Sequence, residues 1–238
     1  MNQKGSSSGP KRLLKIILPL ALITFTTLVG APAFAKEKLP EVSSDGLHLV
    51  PHTKLRIVYM KPGVNLDAYD EVKILDCFVQ FRKDYQRDYN LNEIGLQGRV
   101  TSKDMEDIKT WLAAEFKKVF TEQLDKKGQE VVDTVGPSVL LLRPAIINLD
   151  VTAPDTMQAG MVNNYVASAG EMTLYMELYD SATSELIGRV VDPEAGQEGG
   201  LAFNANRVTN TAAADRILRF WADLLSSHLG SVKNQAGQ

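Results

Sequence analysis

Cysteine is nearly absent from this 238-residue chain: Cys77 stands alone. A single cysteine excludes an internal disulfide framework, so a packed core has to carry the stability. Histidine is scarce too, at three residues, which leaves few ways to assemble a Ser-His-Asp set. There is no Gly-x-Ser-x-Gly elbow, and Glu198-Gly199-Gly200 precedes no Lys-Ser or Lys-Thr pair that would hold a phosphate. His48 and His52 have the spacing of two ligands on one helical face. Pro51 lies between them and no Glu or Cys supports them, so they read as part of a solvated arm. His228 falls near a helix C-terminus, where partial positive charge is favourable, and needs no further role. No catalytic residue, metal or cofactor is expected.

The N-terminus has a different character from the rest. Lys11, Arg12 and Lys15 form a basic stretch, Ile16 to Val29 is almost wholly apolar, and Ala33-Phe34-Ala35 follows. That order is the signature of a secretory signal peptide over residues 1–35, cleaved after Ala35 with Ala33 and Ala35 read by the peptidase; an uncleaved membrane anchor is the competing reading. The apolar run is short for a membrane span, which takes about 20 residues, so no stable membrane insertion is expected after cleavage. Removing residues 1–35 takes away Lys4, Lys11, Arg12 and Lys15 and no acid. The 26 basic residues of the chain thus fall by four against 29 acidic ones, a net charge of −7. An acidic, exported chain is a poor partner for nucleic acid or anionic lipid. A periplasmic location is expected.

Residues 36–53 are polar with Pro40, Gly46 and Pro51, and read as an extended arm; 54–230 read as one domain and 231–238 as a disordered tail. Leu55–Tyr59 and Val72–Phe81 read as strands, with Cys77 as a small buried residue inside the second. The clearest element starts at a Thr101 or Ser102 cap, with acids in its first turn and Gly128 at its end. Met105, Ile108, Leu112, Phe116, Val119, Phe120 and Leu124 form one apolar helical face. Glu130–Val135 reads as a short strand, and Val139–Val151 as a strand with a kink or bulge at Pro144. Met172, Leu174, Met176 and Leu178 alternate with Thr173, Tyr175, Glu177 and Tyr179, a half-buried strand. Asp180–Ser184 reads as a hairpin turn returning through Leu186–Val191. A last helix, from about Val208 to Leu229, buries Ala213, Ile217, Phe220, Trp221, Leu224 and Leu225. The pattern predicts an α/β (α+β) two-layer sandwich. Two long amphipathic helices pack on one face of a mostly antiparallel sheet of five or six strands.

Three segments without period, Arg82–Arg99, Ala153–Ala167 and Pro193–Asn206, read as loops. The first interleaves Arg82, Lys83 and Arg87 with Tyr85 and Tyr89, while Asp84 and Asp88 nearly neutralise it. Tyrosine and arginine are enriched where proteins bind, so Tyr85, Arg87 and Tyr89 are candidate partner-contact residues; the alternative is that the rings close the core. Arg143 and Glu177 each interrupt an apolar strand and form an ion pair that sets register if the two strands are neighbours.

From Val139 onward the motifs become specific. Gly136-Pro137-Ser138-Val139-Leu140, Arg143-Pro144-Ala145, Leu149-Asp150-Val151, Met176-Glu177-Leu178-Tyr179-Asp180-Ser181 and Trp221-Ala222 resemble the domain-of-unknown-function 3313 (DUF3313) family of bacterial envelope proteins. Tyr59-Met60-Lys61-Pro62-Gly63-Val64-Asn65-Leu66 and Tyr69-Asp70 fit its opening. Many members look like lipoproteins, whereas the residue directly after Ala35 here is Lys36 and not a cysteine. The resemblance implies an envelope protein and supplies no catalytic residues. The leading reading is a non-enzymatic module that binds another envelope protein or a cell-wall component. A hydrolase with an unrecognised site and a small-ligand carrier using the helix–sheet crevice are the other readings.

Overall fold

The computed structural model describes residues 39–92, 98–151, 164–166, 168–197, 203–205 and 207–229. The expected signal peptide with Ala33 and Ala35, the expected tail and most of the 153–167 segment lie outside the described residues. In chain order the elements are β1 (His48–Leu49), β2 (Ile57–Met60), a 3-10 helix at Leu66–Ala68, β3 (Glu71–Ile74), β4 (Phe78–Phe81), α1 (Tyr85–Asn92), α2 (Ser102–Lys126), β5 (Glu130–Val131), β6 (Val139–Val151), β7 (Asn164–Val166), β8 (Ser168–Asp180), β9 (Leu186–Gln197), β10 (Phe203–Ala205) and α3 (Arg207–Leu229).

The α+β class holds, and the finer architecture is corrected. The main sheet has eight strands in the order β1-β2-β9-β8-β6-β3-β5, with β4 also pairing β6. The β6–β8, β8–β9 and β9–β2 pairs are antiparallel. β3 and β4 run parallel to β6, and β5 parallel to β3. The parallel half follows from α2. Its 25 residues carry the chain back past the sheet, and a crossover of that length returns the next strand in the same direction. Residues 72–81 are two strands rather than one. The break at Leu75–Cys77 lets β3 pair residues 139–142 of β6 and β4 pair residues from Ala145 on. Pro144 lies beside that break, where the neighbour changes. The bulge expected there falls instead between Ile147 and Asp150, with Asn148 at φ 52°. β7 and β10 form a separate antiparallel pair.

The helix read as clearest from sequence matches closely. Thr101 accepts from the Asp104 N–H at 3.2 Å while the Asp104 carboxylate accepts from the Thr101 N–H at 2.8 Å, a reciprocal cap. Gly128 takes φ +78°, a left-handed stop that glycine reaches without strain. Leu112, Phe116, Val119, Phe120 and Leu124 are buried, and Phe116 stacks on Phe120 with centroids 4.0 Å apart. In α3, Ile217, Leu218, Trp221, Ala222, Leu225 and Leu229 join this core; Phe220, expected inside, is 40% exposed. The expected extended arm also folds back. Leu47 is buried, β1 pairs β2, and Tyr59 donates from its hydroxyl to the Pro40 carbonyl at 2.8 Å.

Cys77 is buried as expected, in the β3–β4 break rather than inside a strand. Burial pushes its thiol up to about 12, so little reactive thiolate forms at neutral pH. The native protein should resist a thiol reagent at pH 8 for as long as it stays folded. Cys77→Ser should cost more stability than Cys77→Ala, because an added hydroxyl needs a partner in an apolar site. Fast labelling of native protein would contradict this placement.

Candidate functional site

Successive strand residues point to opposite faces. In β8, Met172, Leu174, Met176 and Leu178 join the helical core, which sends Thr173, Tyr175, Glu177 and Tyr179 to the other face. Register then aligns the neighbours. Arg143 of β6, Glu177 of β8 and Arg189 of β9 stand side by side, followed by Tyr59 of β2. The adjacent row runs Phe78, Ala145, Tyr175, Val191, Ile57. Phe78 is 60% exposed.

Glu177 is the centre of this face and is itself only 8% exposed. The Tyr175 hydroxyl donates to its Oε1 and the Tyr179 hydroxyl to its Oε2, each at 2.8 Å. Arg189 Nη2 approaches Oε1 at 3.3 Å and Arg143 Nη1 approaches Oε2 at 3.5 Å. Burial alone raises a carboxyl; here the Tyr179 and Tyr175 hydroxyls and then Arg189 outweigh it and hold Glu177 below its ordinary value. Arg189 also donates to Asp45 of the N-terminal segment, which pins residues 39–50 to this face, and its guanidinium lies over the Tyr175 ring at 5.9 Å. The Arg143 side chain is 66% exposed. A carboxylate held ionised by several donors has lost basicity and is a poor proton acceptor. The arrangement instead offers a guanidinium and aromatic edges on a rigid sheet, which suits contact with a partner.

Of the residues expected to make contact, the structure removes Tyr85. It is 1% exposed, stacks on Phe81 with centroids 4.6 Å apart, and donates from its hydroxyl to the Val151 carbonyl at 2.8 Å. Tyr89 is half-buried with its ring 5.9 Å from that of Tyr85. Arg87 is exposed and paired with Asp84 and Asp88. The physical reason is α1: Tyr85 and Tyr89 are four apart on a helix following a core strand, so both turn toward the core. The Arg143–Glu177 pair is brought together as the sequence suggests. Arg189, Tyr175, Tyr179 and Asp45 were not singled out. The alternation of β8 already put Tyr175, Glu177 and Tyr179 on one face, and that was the available signal.

Inside the helix–sheet crevice, Asp192 is 3% exposed. It accepts from Trp221 Nε1–H at 2.8 Å and from the Arg56 backbone N–H at 2.6 Å. Glu194, two residues on, is raised by burial and further by the charge of Asp192. This is a peg tying α3 and the residue before β2 to β9. Among the described residues no group of three or more His, Cys, Asp and Glu side chains is placed to hold a metal, and no helix is long and apolar enough to cross a membrane.

A family model described as "Protein of unknown function (DUF3313)" matches residues 42–225. No curated protein matches the chain. Among solved structures, the PelC dodecamer of Paraburkholderia phytofirmans is similar at 9% identity and a TM-score of 0.35, covering 70% of this chain and 96% of that one. A Xanthomonas campestris protein of family model DUF330 is similar at 12% identity and a TM-score of 0.39, covering 75% and 93%. A DUF4136 family protein from Bacteroides thetaiotaomicron is similar at 9% identity and a TM-score of 0.35, covering 72% and 95%.

Proposed function

We propose that this chain, which belongs to the DUF3313 family, is an exported, non-enzymatic protein of the cell envelope that binds another envelope component through the sheet face opposite its helices. One observation carries the reading: the Arg143–Glu177–Arg189 row and the exposed Phe78 lie together on a face that the helices leave uncovered. The basic, apolar and Ala33-Phe34-Ala35 segments supply the case for export, and Arg87 with the edge of Tyr89 remains a secondary contact.

The test pairs compartment with contact. The protein recovered from the periplasm should begin at Lys36. Arg143→Ala should melt close to wild type, since Arg143 is itself exposed, its approach to Glu177 is long at 3.5 Å, and Glu177 keeps both tyrosine hydroxyls and Arg189. It should still bind its envelope partner about tenfold or more weakly if Arg143 is an anchor. Lys117→Ala, on the exposed side of α2, is the matched control and should bind as wild type. An intact Met1 end in the cytoplasm would refute export, and equal binding by Arg143→Ala would refute the face.

A further inference from the structure

The first described residues fold as a unit of their own. The Leu49 N–H donates to the Glu41 carbonyl at 2.9 Å, the Ser43 N–H to the Leu47 carbonyl at 2.8 Å and the Gly46 N–H to the Ser43 carbonyl at 3.0 Å. The Ser43 hydroxyl accepts from the Leu47 N–H at 3.1 Å, and Val42 bridges His48. Residues 41–49 are thus a small hairpin, turned at Gly46 with φ +79°, and these bonds lie wholly within it. Its hold on the sheet is slight. β1 pairs β2 over two residues, and the Val50 N–H donates to the Val58 carbonyl at 2.8 Å. Tyr59 donates to the Pro40 carbonyl and Arg189 donates to Asp45. Leu47 is the apolar anchor. Leu47 and Tyr59 are both buried, yet neither joins the apolar cluster between the helices and the sheet.

The closed position is also imperfect. Arg189 Nη2 is shared between Asp45 and Glu177. Arg189 Nε is buried and has no hydrogen-bond partner among the described residues, and an unpaired buried donor costs free energy. The Arg189 and Asp45 side chains are 19% and 34% exposed, so water and salt weaken their attraction. Where the chain leaves the hairpin for β2, His52 takes φ 59°, a left-handed conformation that is unfavourable for a residue with a side chain. His52 follows Pro51, and the two form a bend between β1 and β2.

We infer that residues 39–49 are a detachable strap that opens as a unit about Pro51 and His52 while the core stays folded. Closed, the strap masks one end of the Arg143–Glu177–Arg189–Tyr59 row: Arg143 is largely exposed, whereas Arg189 and Tyr59 are covered. Opening releases the Tyr59 hydroxyl from Pro40 and Arg189 from Asp45, which adds a phenol and a guanidinium to the face. A segment with few contacts to the core opens at a smaller free-energy cost than global unfolding, and this hairpin carries its internal bonds with it. The value of those groups to a partner rests on the sheet face being the binding surface, as proposed. The opening does not, and it is measured with no partner present.

Native-state hydrogen exchange on the chain as purified from cells tests the strap. The amides of Ser43, Gly46, Leu47, Leu49 and Val50 should exchange together, about a hundredfold or more faster than those of Phe116 and Phe120. Their dependence on denaturant should be far shallower, because little surface is exposed when the strap lifts. Masking is read with an arginine-selective dicarbonyl reagent, the modified sites being mapped by mass spectrometry. Leu47→Ala removes the apolar anchor and leaves the Asp45 and Arg189 groups in place. It should raise the modification rate of Arg189 about tenfold or more and leave that of Arg143 unchanged. Asp45→Asn, a second and milder variant, should speed exchange of the same five amides about threefold. Strap amides that share the protection and the denaturant slope of α2, or an Arg189 rate unmoved by Leu47→Ala, would overturn the inference. Opening observed in a protein whose Arg143→Ala variant binds as wild type supports the strap and refutes the binding face.

Discussion

Phe116→Ala should lower the stability of this domain by about 3–5 kcal/mol, the range for truncating a buried phenylalanine. Phe116 is 0% exposed, stacks on Phe120, and sits on the α2 face that meets the sheet and α3. No disulfide supports the fold, and a domain of this size has roughly 5–15 kcal/mol in hand, so the loss is a large share of the total. Chemical denaturation should show the midpoint falling while the slope stays the same, which marks lost packing in one cooperative unit. Phe120→Ala should cost a similar amount, and the double variant should cost less than the sum, because each ring is the other's neighbour. A Phe116→Ala protein with an unchanged midpoint would mean that this face of α2 is not part of the core.

Glu177→Ala is expected to cost about 2–4 kcal/mol, the scale for stripping a buried charge from its donors. Two tyrosine hydroxyls and two guanidinium groups converge on that carboxylate. Its removal leaves Arg189 with Asp45 alone among its acidic partners. The loss should depend on pH with a definite sign. Glu177 is held below its ordinary 4.5 in the folded protein. Its contribution is therefore full above that value and disappears as the pH falls through the lower, folded one. Wild type should lose stability on acidification below about pH 5, and Glu177→Gln should lose less over the same interval. Some slope should persist, because Asp45, Asp88, Asp104 and Asp180 are also held low by hydrogen bonds. Parallel stability–pH curves for wild type and Glu177→Gln would remove Glu177 from this account.

Much of the helical layer was legible because its signals are local. The Thr101 cap, the apolar spacing of α2 and Gly128 are read from residues within one or two turns of each other. Strand pairing is set by partners far away in sequence. The run from Val72 to Phe81 is apolar almost throughout, and nothing within it says that β6 is long enough to pair two separate pieces of it. The direction of β3, β4 and β5 depends on the α2 crossover, which composition does not record. Two-residue strands such as β1 and β5 leave no period at all. The site was legible in half. Arg143 and Glu177 stood out as charges in apolar strands, and their meeting followed once β6 and β8 paired. Arg189 did not stand out, because β9 near it is less regular. Tyr85 and Tyr89 misled for a related reason: a charged stretch resembles a loop, and the eight-residue α1 inside it turns both rings inward.

The central claim is that the sheet face opposite the helices meets an envelope partner after export. The most direct test places a photo-reactive phenylalanine analogue at position 143 in the full-length chain, with position 117 on α2 as the control, and irradiates intact cells. The account predicts a discrete adduct from position 143, recovered with the periplasmic fraction on a chain beginning at Lys36, and none from position 117. Adducts from position 117 with none from position 143, or an irradiated chain still carrying Met1 in the cytoplasm, would contradict it.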